Sequence, residues 1–204
     1  KRYSRRSLSM EAEEELKKQL AGFGDRSAVS VVTDIGNYVQ VIKGVVGFAQ
    51  ECGLKCIYIT CTLPARVVLE QLGSENIKAD NLHFVDAISF MVGTASDERG
   101  QTMYVESPTM LEGIMLKVDT WLKKLRDGKK LVFLDSVSTL AMHNDPALIS
   151  EFLHYFVNNL RGRGIRTVIL SIAGQTAEEI ENILRLVCDE TVVLKGEESS
   201  VEAK

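Results

Sequence analysis

An aspartate at the end of an apolar run is the sharpest chemical signal in this sequence. The run KLVFL is followed directly by Asp135 and Ser136. Ligands of parallel α/β sheets bind outside the carboxyl ends of the strands, where an aspartate can hold a hydrated Mg²⁺ on a bound triphosphate. An aspartate that leaves a buried strand can equally cap the next loop. We therefore predict that Asp135 binds a metal only if a magnesium nucleotide binds. A role as the cap of the following loop is an equally favoured alternative.

A second polar group follows the first apolar run, in the stretch VVTDIGNY. Together with the residues after KLVFL it makes up a candidate nucleotide site, which comprises Asp34, Gly36, Asn37, Tyr38, Asp135 and Ser136. With Thr60, Thr62 and Ser171 added, the walls of the crevice at this edge would be polar and net negative. Such a crevice favours a cation or a neutral group over a phosphate.

The spacing of histidines and cysteines gives little support to other chemistries. His83, His143 and His154 are 60 and 11 residues apart, and the four cysteines lack the close pairs of a zinc site. Ser136, His143 and Asp86 could form a Ser-His-Asp arrangement, but no G-x-S-x-G elbow presents the serine. Cys61 with His143 as base is equally unsupported. We therefore predict no catalytic residue, and an unrelated small-molecule enzyme is the least favoured alternative.

Short β-branched runs alternate with helical periods along the chain. The sequence predicts strands over residues 28–34, 55–61, 82–89, 130–135, 165–173 and 190–195. It predicts helices over 10–21, 37–52, 64–73, 107–122, 145–160 and 177–187, two of which open with Ser107-Pro108 and Asp145-Pro146. The stretch 93–106 is rich in Thr, Ser, Asp and Gly, so we expect a mobile segment there rather than a packed element.

Continuous apolar strands separated by helices require a parallel sheet that is covered on both faces. We therefore predict an α/β fold, a three-layer α/β/α sandwich with a mostly parallel sheet. Asp34, Asp86 and Asp135 should emerge on one edge of this sheet. The domain spans residues 27–195, with a basic segment and helix over 1–26 before it and a polar tail over 196–204 after it.

The charge and hydropathy of the chain argue against two classes of binding partner, nucleic acids and membranes. The 204 residues include 28 acidic and 24 basic side chains, and four of the basic ones lie in the first six positions, KRYSRR. The remainder carries 20 basic against 28 acidic side chains, a charge of −8 that repels phosphate backbones and argues against nucleic acid as a partner. No apolar run reaches the roughly 18 residues of a membrane span, so we predict a cytoplasmic protein without membrane contact.

Residues 27–195 as a whole resemble the RecA-like ATPases and, within them, the KaiC-like group common in archaea. The resemblance rests on the order and spacing of VSVVTDIGNY, KCIYITCTLPARVVLEQL, NLHFVDAIS, LVFLDSVSTL and VNNLRGRGIRTVILSIA. It implies a RecA-like fold with Asp135 in the Walker B strand, and a phosphate loop of the form GxxxxGK[ST] after the first strand. It also implies an acidic pair after the second strand, one member of which orients the attacking water.

The chain departs from this pattern at both places. Asp34 stands where the phosphate loop begins with glycine, Gln40-Val41 align with its Lys and Ser/Thr, and Lys43 follows about one helical turn too late. The stretch CTLP, which begins at Cys61, replaces the acidic pair. Because positioning and charge stabilisation supply nearly all the catalysis of phosphoryl transfer, these losses predict almost no hydrolysis.

The sequence therefore predicts a non-catalytic, degenerate RecA/KaiC-like domain with a vestigial nucleotide site and no cofactor. Such a domain would act as a regulatory or scaffolding protein, through a protein partner or through self-association. The alternative is a nucleotide-binding module or weak ATPase that uses Asp135 and the Gly36 loop, with ATP and Mg²⁺ as cofactor.

Overall fold

The computed structural model describes residues 5–74, 77–95 and 100–194, with side chains from residue 11 onward. The first four residues of the basic start and the predicted tail 196–204 lie outside the described residues. The described strands are β1 (Ala28–Thr33), β2 (Lys55–Thr60), β3 (Leu82–Asp86), β4 (Thr102–Tyr104), β5 (Lys130–Asp135), β6 (Arg166–Ile172) and β7 (Glu190–Leu194). The helices are α1 (Arg5–Gly22), α2 (Tyr38–Glu51), α3 (Ala65–Ser74), α4 (Leu111–Lys124), α5 (Val137–His143), α6 (Pro146–Gly162) and α7 (Glu178–Val187), and a 3-10 turn spans Ile35–Asn37.

The strands form one parallel sheet in the order β4-β3-β2-β5-β6-β1-β7. Helices cover both of its faces, so the predicted three-layer α/β/α sandwich is confirmed. Two hydrophobic clusters lie on opposite faces, with α1, α2 and α3 packed on one and α4, α5, α6 and α7 on the other.

Each central strand supplies both clusters because successive side chains point to opposite faces. In β2, Cys56 and Tyr58 belong to the α1–α3 layer, whereas Ile57 and Ile59 belong to the α4–α7 layer. All four side chains are fully buried. This is the reason that the strands read as continuous apolar runs in the sequence.

One of the two predicted helix starts is confirmed and the other is wrong. Asp145 is the N-cap of α6, where its Oδ1 accepts a hydrogen bond of 2.8 Å from the Ala147 amide and Pro146 occupies the first turn. At Ser107, the hydroxyl instead accepts from the Thr109 amide at 3.2 Å. This local turn takes the place of a helical turn, and α4 begins only at Leu111.

Other parts of the chain also differ from the prediction, among them the first helix, which begins at Arg5 rather than at residue 10. The third strand ends at Asp86 rather than at residue 89, because the amides of Ile88 and Ser89 turn back to donate to the Asp86 carboxylate. Residues 102–104, predicted to be unpacked, form the edge strand β4, whose Met103 is buried. The segment around His143, predicted as a loop, is the short helix α5.

Candidate functional site

The carboxyl ends of the central strands meet at one edge of the sheet. Thr60 at the end of β2 is in register with Asp86 of β3 on one side and with Asp135 of β5 on the other. Thr33, the last residue of β1, pairs with Ile172 of β6, and Asp34 follows it directly. The prediction that Asp34, Asp86 and Asp135 emerge on one edge is therefore confirmed.

The first turn, residues 34–37, is tight and capped by its own aspartate. The Asn37 amide donates to Asp34 Oδ1 at 3.0 Å, and the Asn37 side-chain amide lies 3.5 Å from Oδ2. A Cβ at Gly36 would approach Asp34 Oδ1 to 3.0 Å, so a side chain there would press on the cap. The backbone passes from this 3-10 turn straight into α2 at Tyr38. Asp34 thus serves as the N-cap of this turn.

Residues 40 and 41, which align with the Lys and Ser/Thr of a phosphate loop, lie inside α2. Val41 is fully buried in the core between α2 and the sheet. Gln40 lies one position earlier in the same helix and is partly buried. Only the short turn 34–37 separates β1 from α2, so few backbone N–H groups are free to face a phosphate there.

Asp135 is fully buried and bonded to two tyrosines, an arrangement that we call the Asp135 cluster (Tyr38, Tyr58 and Asp135). The Tyr38 hydroxyl donates to Asp135 Oδ2 at 2.7 Å, and the Tyr58 hydroxyl donates a short hydrogen bond to the same oxygen. The other oxygen, Oδ1, has no hydrogen-bond partner among the described residues. Both rings pack in the core, where Tyr58 stacks on Phe84 with centroids 5.2 Å apart.

Burial dominates the electrostatics of this cluster. Desolvation raises the pKa of Asp135 to about 6, and the hydrogen bonds from Tyr58 and Tyr38 offset part of that rise because they stabilise the ionised form. Desolvation and the neighbouring Asp135 charge raise the pKa of both tyrosines, so both remain neutral hydroxyl donors. The cluster is one carboxylate held by two neutral donors, without a cation.

The hydroxyl groups beside the cluster bond mainly to one another. Ser136 is the N-cap of α5 and accepts a hydrogen bond of 3.2 Å from the Thr139 amide. The Thr62 and Thr139 hydroxyls lie 2.8 Å apart. Burial, followed by the nearby Asp135 and Asp86 charges, raises the pKa of the Cys61 thiol, which is the opposite of what a thiolate nucleophile needs.

The predicted polar crevice is largely filled at this edge. Thr60, Asp135, Ser136 and Ser171 were expected to line it, yet each is at most 1% exposed. Ser171 instead lies 2.9 Å from the Thr176 hydroxyl. These four side chains are closed to solvent because they have partners within the domain, whereas Asp34, Asn37 and Thr62 of the expected lining are partly exposed.

Hydrogen bonds from Ala65, Ile88 and Ser89 occupy both carboxylate oxygens of Asp86. Its oxygens accept hydrogen bonds from the amides of Ala65, Ile88 and Ser89 and from the Ser89 hydroxyl, at 2.7–3.0 Å. Asp86 thereby ties the start of α3 to the end of β3. Like Asp34, it is a structural carboxylate.

Sequence reasoning missed Tyr58 and Thr139. Tyr58 was assigned to the second strand as one more apolar residue, although a buried tyrosine needs a partner for its hydroxyl. That requirement is a signal that the sequence contains. Thr139 could also be found from the sequence, because it lies three residues after Ser136, and the amide at that spacing is the one that an N-cap side chain bonds.

Magnesium and a triphosphate do not fit this arrangement. Asp135 Oδ2 already accepts two hydrogen bonds inside the core, and the first turn presents neither a lysine nor a wide loop of amides. Across the part of the chain that the structure describes, no group of three or more His, Cys, Asp or Glu is placed to hold a metal ion. None of the helices in that part has the length and apolar character needed to cross a bilayer.

Comparisons with known proteins agree with the fold. A family model described as "ATPase: KaiC" matches residues 41–204, a range that begins inside α2, after the first turn. The crystal structure of a KaiC-like protein from the hyperthermophilic archaeon Pyrococcus horikoshii OT3 is similar, with a TM-score of 0.64 and 17% identity over 89% of this chain and 76% of that one. Among curated proteins, none matches this chain.

Proposed function

Since the chain belongs to the KaiC family of ATPases, we propose that it is a degenerate member that keeps the RecA-like fold without ATP hydrolysis. Its role is then that of a regulatory or scaffolding protein that works through protein contacts. The family assignment covers the fold, and the proposal concerns the chemistry at one site, the carboxyl edge of the sheet.

The state of Asp135 carries the proposal. A Walker B aspartate acts on Mg²⁺ through an accessible carboxylate, whereas this one is buried under the hydroxyls of Tyr38 and Tyr58. A magnesium ion at Oδ2 would have to displace a tyrosine hydroxyl, and one at Oδ1, which is buried, would have to open the core around the carboxylate. The interactions that hold the fold together therefore oppose occupation of the metal position.

Two further features support the loss of hydrolysis. Val41, at the Ser/Thr position of the phosphate loop, is a core residue, so no hydroxyl is available there for the metal. Cys61 and Thr62, at the position of the acidic pair, offer a buried thiol and a hydroxyl that bonds to Thr139. Neither group can serve as a carboxylate that orients water.

Exposed apolar side chains near the same edge support a role in protein contacts. Ile35 in the first turn and Met142 near the end of α5 are each 73% exposed, and Phe90, Met91 and Val92 follow β3 with about half of their surface exposed. Phe90, Met91 and Val92 are consecutive in the chain, and an exposed apolar run of this kind is typical of interaction surfaces.

One observation favours the second candidate, a nucleotide-binding module or weak ATPase. Asp135 keeps one oxygen, Oδ1, without a partner among the described residues, and its pKa of about 6 leaves the carboxylate ionised at neutral pH. A movement of Tyr38 would then expose a charged Walker B residue.

Calorimetry and turnover assays separate the two candidates. We expect neither heat of binding nor hydrolysis above background for ATP or ADP, with or without Mg²⁺. The test variant is Asp135→Ala, and the matched control is Asp127→Ala, an exposed aspartate far from the edge. A turnover that persists in Asp127→Ala and disappears in Asp135→Ala would overturn the proposal and establish the second candidate.

A further inference from the structure

The amino ends of three neighbouring strands place basic side chains on one face of the sheet. Lys55 at the start of β2 is in register with Lys130 at the start of β5. His83 of β3 pairs with Ile57, two residues after Lys55, so all three side chains point to the face that the α4–α7 layer covers. Two like charges side by side on adjacent strands repel each other, and a bound anion would relieve that repulsion.

The loop between α4 and β5 adds to this charge. The segment 123–130, KKLRDGKK, holds five of the chain's 24 basic side chains and one of its 28 acidic ones. Gly128 takes a positive φ of 82°, which turns the loop back against β2, where the Lys55 amide donates to the Lys129 carbonyl at 3.0 Å. The amino-edge basic surface, as we call it, consists of Lys55, Lys123, Lys124, Arg126, Lys129 and Lys130.

Most of the charge on this surface is not neutralised within the domain. Lys129 Nζ lies 2.6 Å from Asp25 Oδ2, and Lys130 Nζ donates to a backbone carbonyl of the turn at 2.8 Å. The members that form no ion pair with any described residue are Lys55, Lys123, Lys124 and Arg126. Lysines at the end of α4 also stabilise its helix dipole, which accounts for Lys123 and Lys124 but not for the other members. A surplus of positive charge therefore remains on an otherwise acidic chain.

Two rings connect the end of α4 to the strand ends. Lys124 Nζ lies 5.3 Å from the centroid of the Trp121 ring, and that ring packs edge-on against His83 with centroids 4.8 Å apart. Burial and then the charge of Lys55 lower the pKa of His83, against a hydrogen bond to the Asn81 carbonyl that raises it. The lysines of the helix and of the strands therefore belong to one continuous surface, with a half-buried imidazole between them.

The dimensions of the amino-edge basic surface favour a short acidic peptide segment. Neighbouring strands lie about 4.8 Å apart, so the ends of β3, β2 and β5 span about 10 Å, the length of about three or four residues of extended chain. Carboxylates also form strong charge-assisted hydrogen bonds with Lys and Arg. A nucleic acid would continue past the exposed Asp80 and Asp127 onto a chain that is net negative and repels its phosphates. Carboxylates on a protein segment can be confined to the basic surface.

We propose that the amino-edge basic surface binds an acidic segment of a partner protein, in which several Asp or Glu residues follow one another in extended conformation. Its carboxylates pair with Lys55 and Lys130 at the strand ends and with Lys123 and Arg126 beside them. This surface lies at the edge of the sheet opposite the Asp135 cluster. The inference therefore adds a binding partner to the scaffolding role proposed above and does not depend on the loss of ATP hydrolysis.

Fluorescence anisotropy of a labelled hexaglutamate peptide, titrated with the full chain in the absence of nucleotide, tests this contact. We expect saturable binding that weakens as the salt concentration rises. The test variant removes three charges that have no ion pair within the domain: Lys55→Gln, Lys123→Gln and Arg126→Gln. Its dissociation constant should be at least about tenfold higher than that of the wild type. The matched control removes three charges from exposed positions elsewhere and should bind as the wild type does: Lys18→Gln, Arg66→Gln and Arg185→Gln. Absence of saturable binding, equal dissociation constants for the two variants, or tighter binding of a short single-stranded DNA than of the peptide would overturn the inference.

The titration of His83, followed by NMR on the wild type, locates the bound peptide. Carboxylates beside Lys55 and the end of α4 bring negative charge near the imidazole, so saturating peptide should raise the pKa of His83. His143 and His154 lie in α5 and α6 and serve as internal references, whose titration curves should not move. A His83 titration that is unchanged by saturating peptide would show that the peptide binds elsewhere and would contradict the inference. Because no nucleotide is present, these results are independent of the nucleotide assays.

Discussion

At Asp135 the fold buries a carboxylate whose hydrogen-bond donors in the described core are hydroxyl groups rather than cations. Removing a charge from water is costly unless it is paired, and two neutral donors on a single oxygen compensate only in part. The same donors turn the side chain away from the ligand edge and into the core between α2 and β2. At the residue scale, the carboxylate that the sequence marks for chemistry is buried and bonded to two tyrosine hydroxyls.

Stability should depend on the proton of Asp135. Its pKa is about 6 in the folded chain against an ordinary 3.8, so the folded state binds this proton more tightly than the unfolded state does. Its stabilising contribution is fully present below the unfolded pKa and is lost as the pH rises through 6, a change of about 3 kcal/mol in all. Asp135→Asn does not titrate. The free energy of unfolding of the wild type minus that of the variant, from urea titrations between pH 4 and 7.5, should therefore fall by about 2 kcal/mol, the part of the change that lies within this pH range, and a flat difference would contradict the burial of this charge.

Tyr38→Phe should destabilise the chain more at neutral than at acidic pH. At pH 7.5 the variant loses a hydrogen bond to an ionised carboxylate, about 2 kcal/mol, and at pH 5 it loses one to a mostly neutral group, about 1 kcal/mol. Urea unfolding at the two pH values measures the difference. The control is Tyr155→Phe, an exposed tyrosine, for which we expect a change within about 0.5 kcal/mol at either pH. Equal losses at both pH values for Tyr38→Phe would show that its hydroxyl does not contact a titrating group.

At the scale of elements, the connection between β1 and α2 decides what the edge can bind. Four residues, 34–37, join the strand to the helix, and three of them form a 3-10 turn. Asp34 closes this turn by accepting from the Asn37 amide at 3.0 Å. A helix N-terminus that is capped by its own carboxylate has less to offer an anion.

Asp34→Ala should cost about 1 kcal/mol of stability, which is typical of a lost cap, and should leave nucleotide affinity unchanged. Asp34→Asn keeps the acceptor oxygen and removes the charge, so we expect it to be nearly as stable as the wild type. Urea unfolding and calorimetry with ATP measure the two effects. If Asp34→Asn instead raised the affinity for ATP at unchanged stability, the charge of Asp34 rather than the closed turn would be what excludes phosphate.

At the scale of the whole molecule, the sheet divides the core into two clusters that share the same strands. Trp121, the single tryptophan, packs in the α4–α7 layer, where its Nε1 donates to the Phe84 carbonyl at 2.9 Å. Phe48 of α2 and the Asp135 cluster lie on the other face. Neither layer can lose its packing without exposing one face of β2, β5 and β6.

The two layers should therefore unfold together. Trp121 fluorescence reports the α4–α7 layer, and hydrogen exchange of the α2 amides reports the other, and their denaturant midpoints should coincide. Val118→Ala and Val45→Ala each remove methyl groups from one fully buried side chain, one in each layer. Each variant should shift both probes by the same amount. A variant that moved only the probe of its own layer would show that the layers are separate cooperative units.

Much of the fold follows from local patterns. Apolar runs such as KLVFL and IRTVIL predict buried parallel strands because both faces of those strands are covered, and Asp145-Pro146 predicts a helix start because it satisfies free amides. The short strand β4 and the helix α5 escaped prediction because few residues carry their periodicity and because their packing partners are remote in sequence. Strands, caps and the edge that holds the polar residues are thus determined by interactions within a few residues.

The sequence by itself determined the class of fold, the edge that carries Asp34 and Asp135, and the absence of lysine and hydroxyl side chains at the positions of a phosphate loop. Only the tertiary structure decided that Tyr38 and Tyr58 meet Asp135, across 97 and 77 residues of chain. The physical reason is that hydrophobic periodicity and capping are local, whereas the partner of a buried carboxylate depends on strand order and register, which residues far apart in the chain set together.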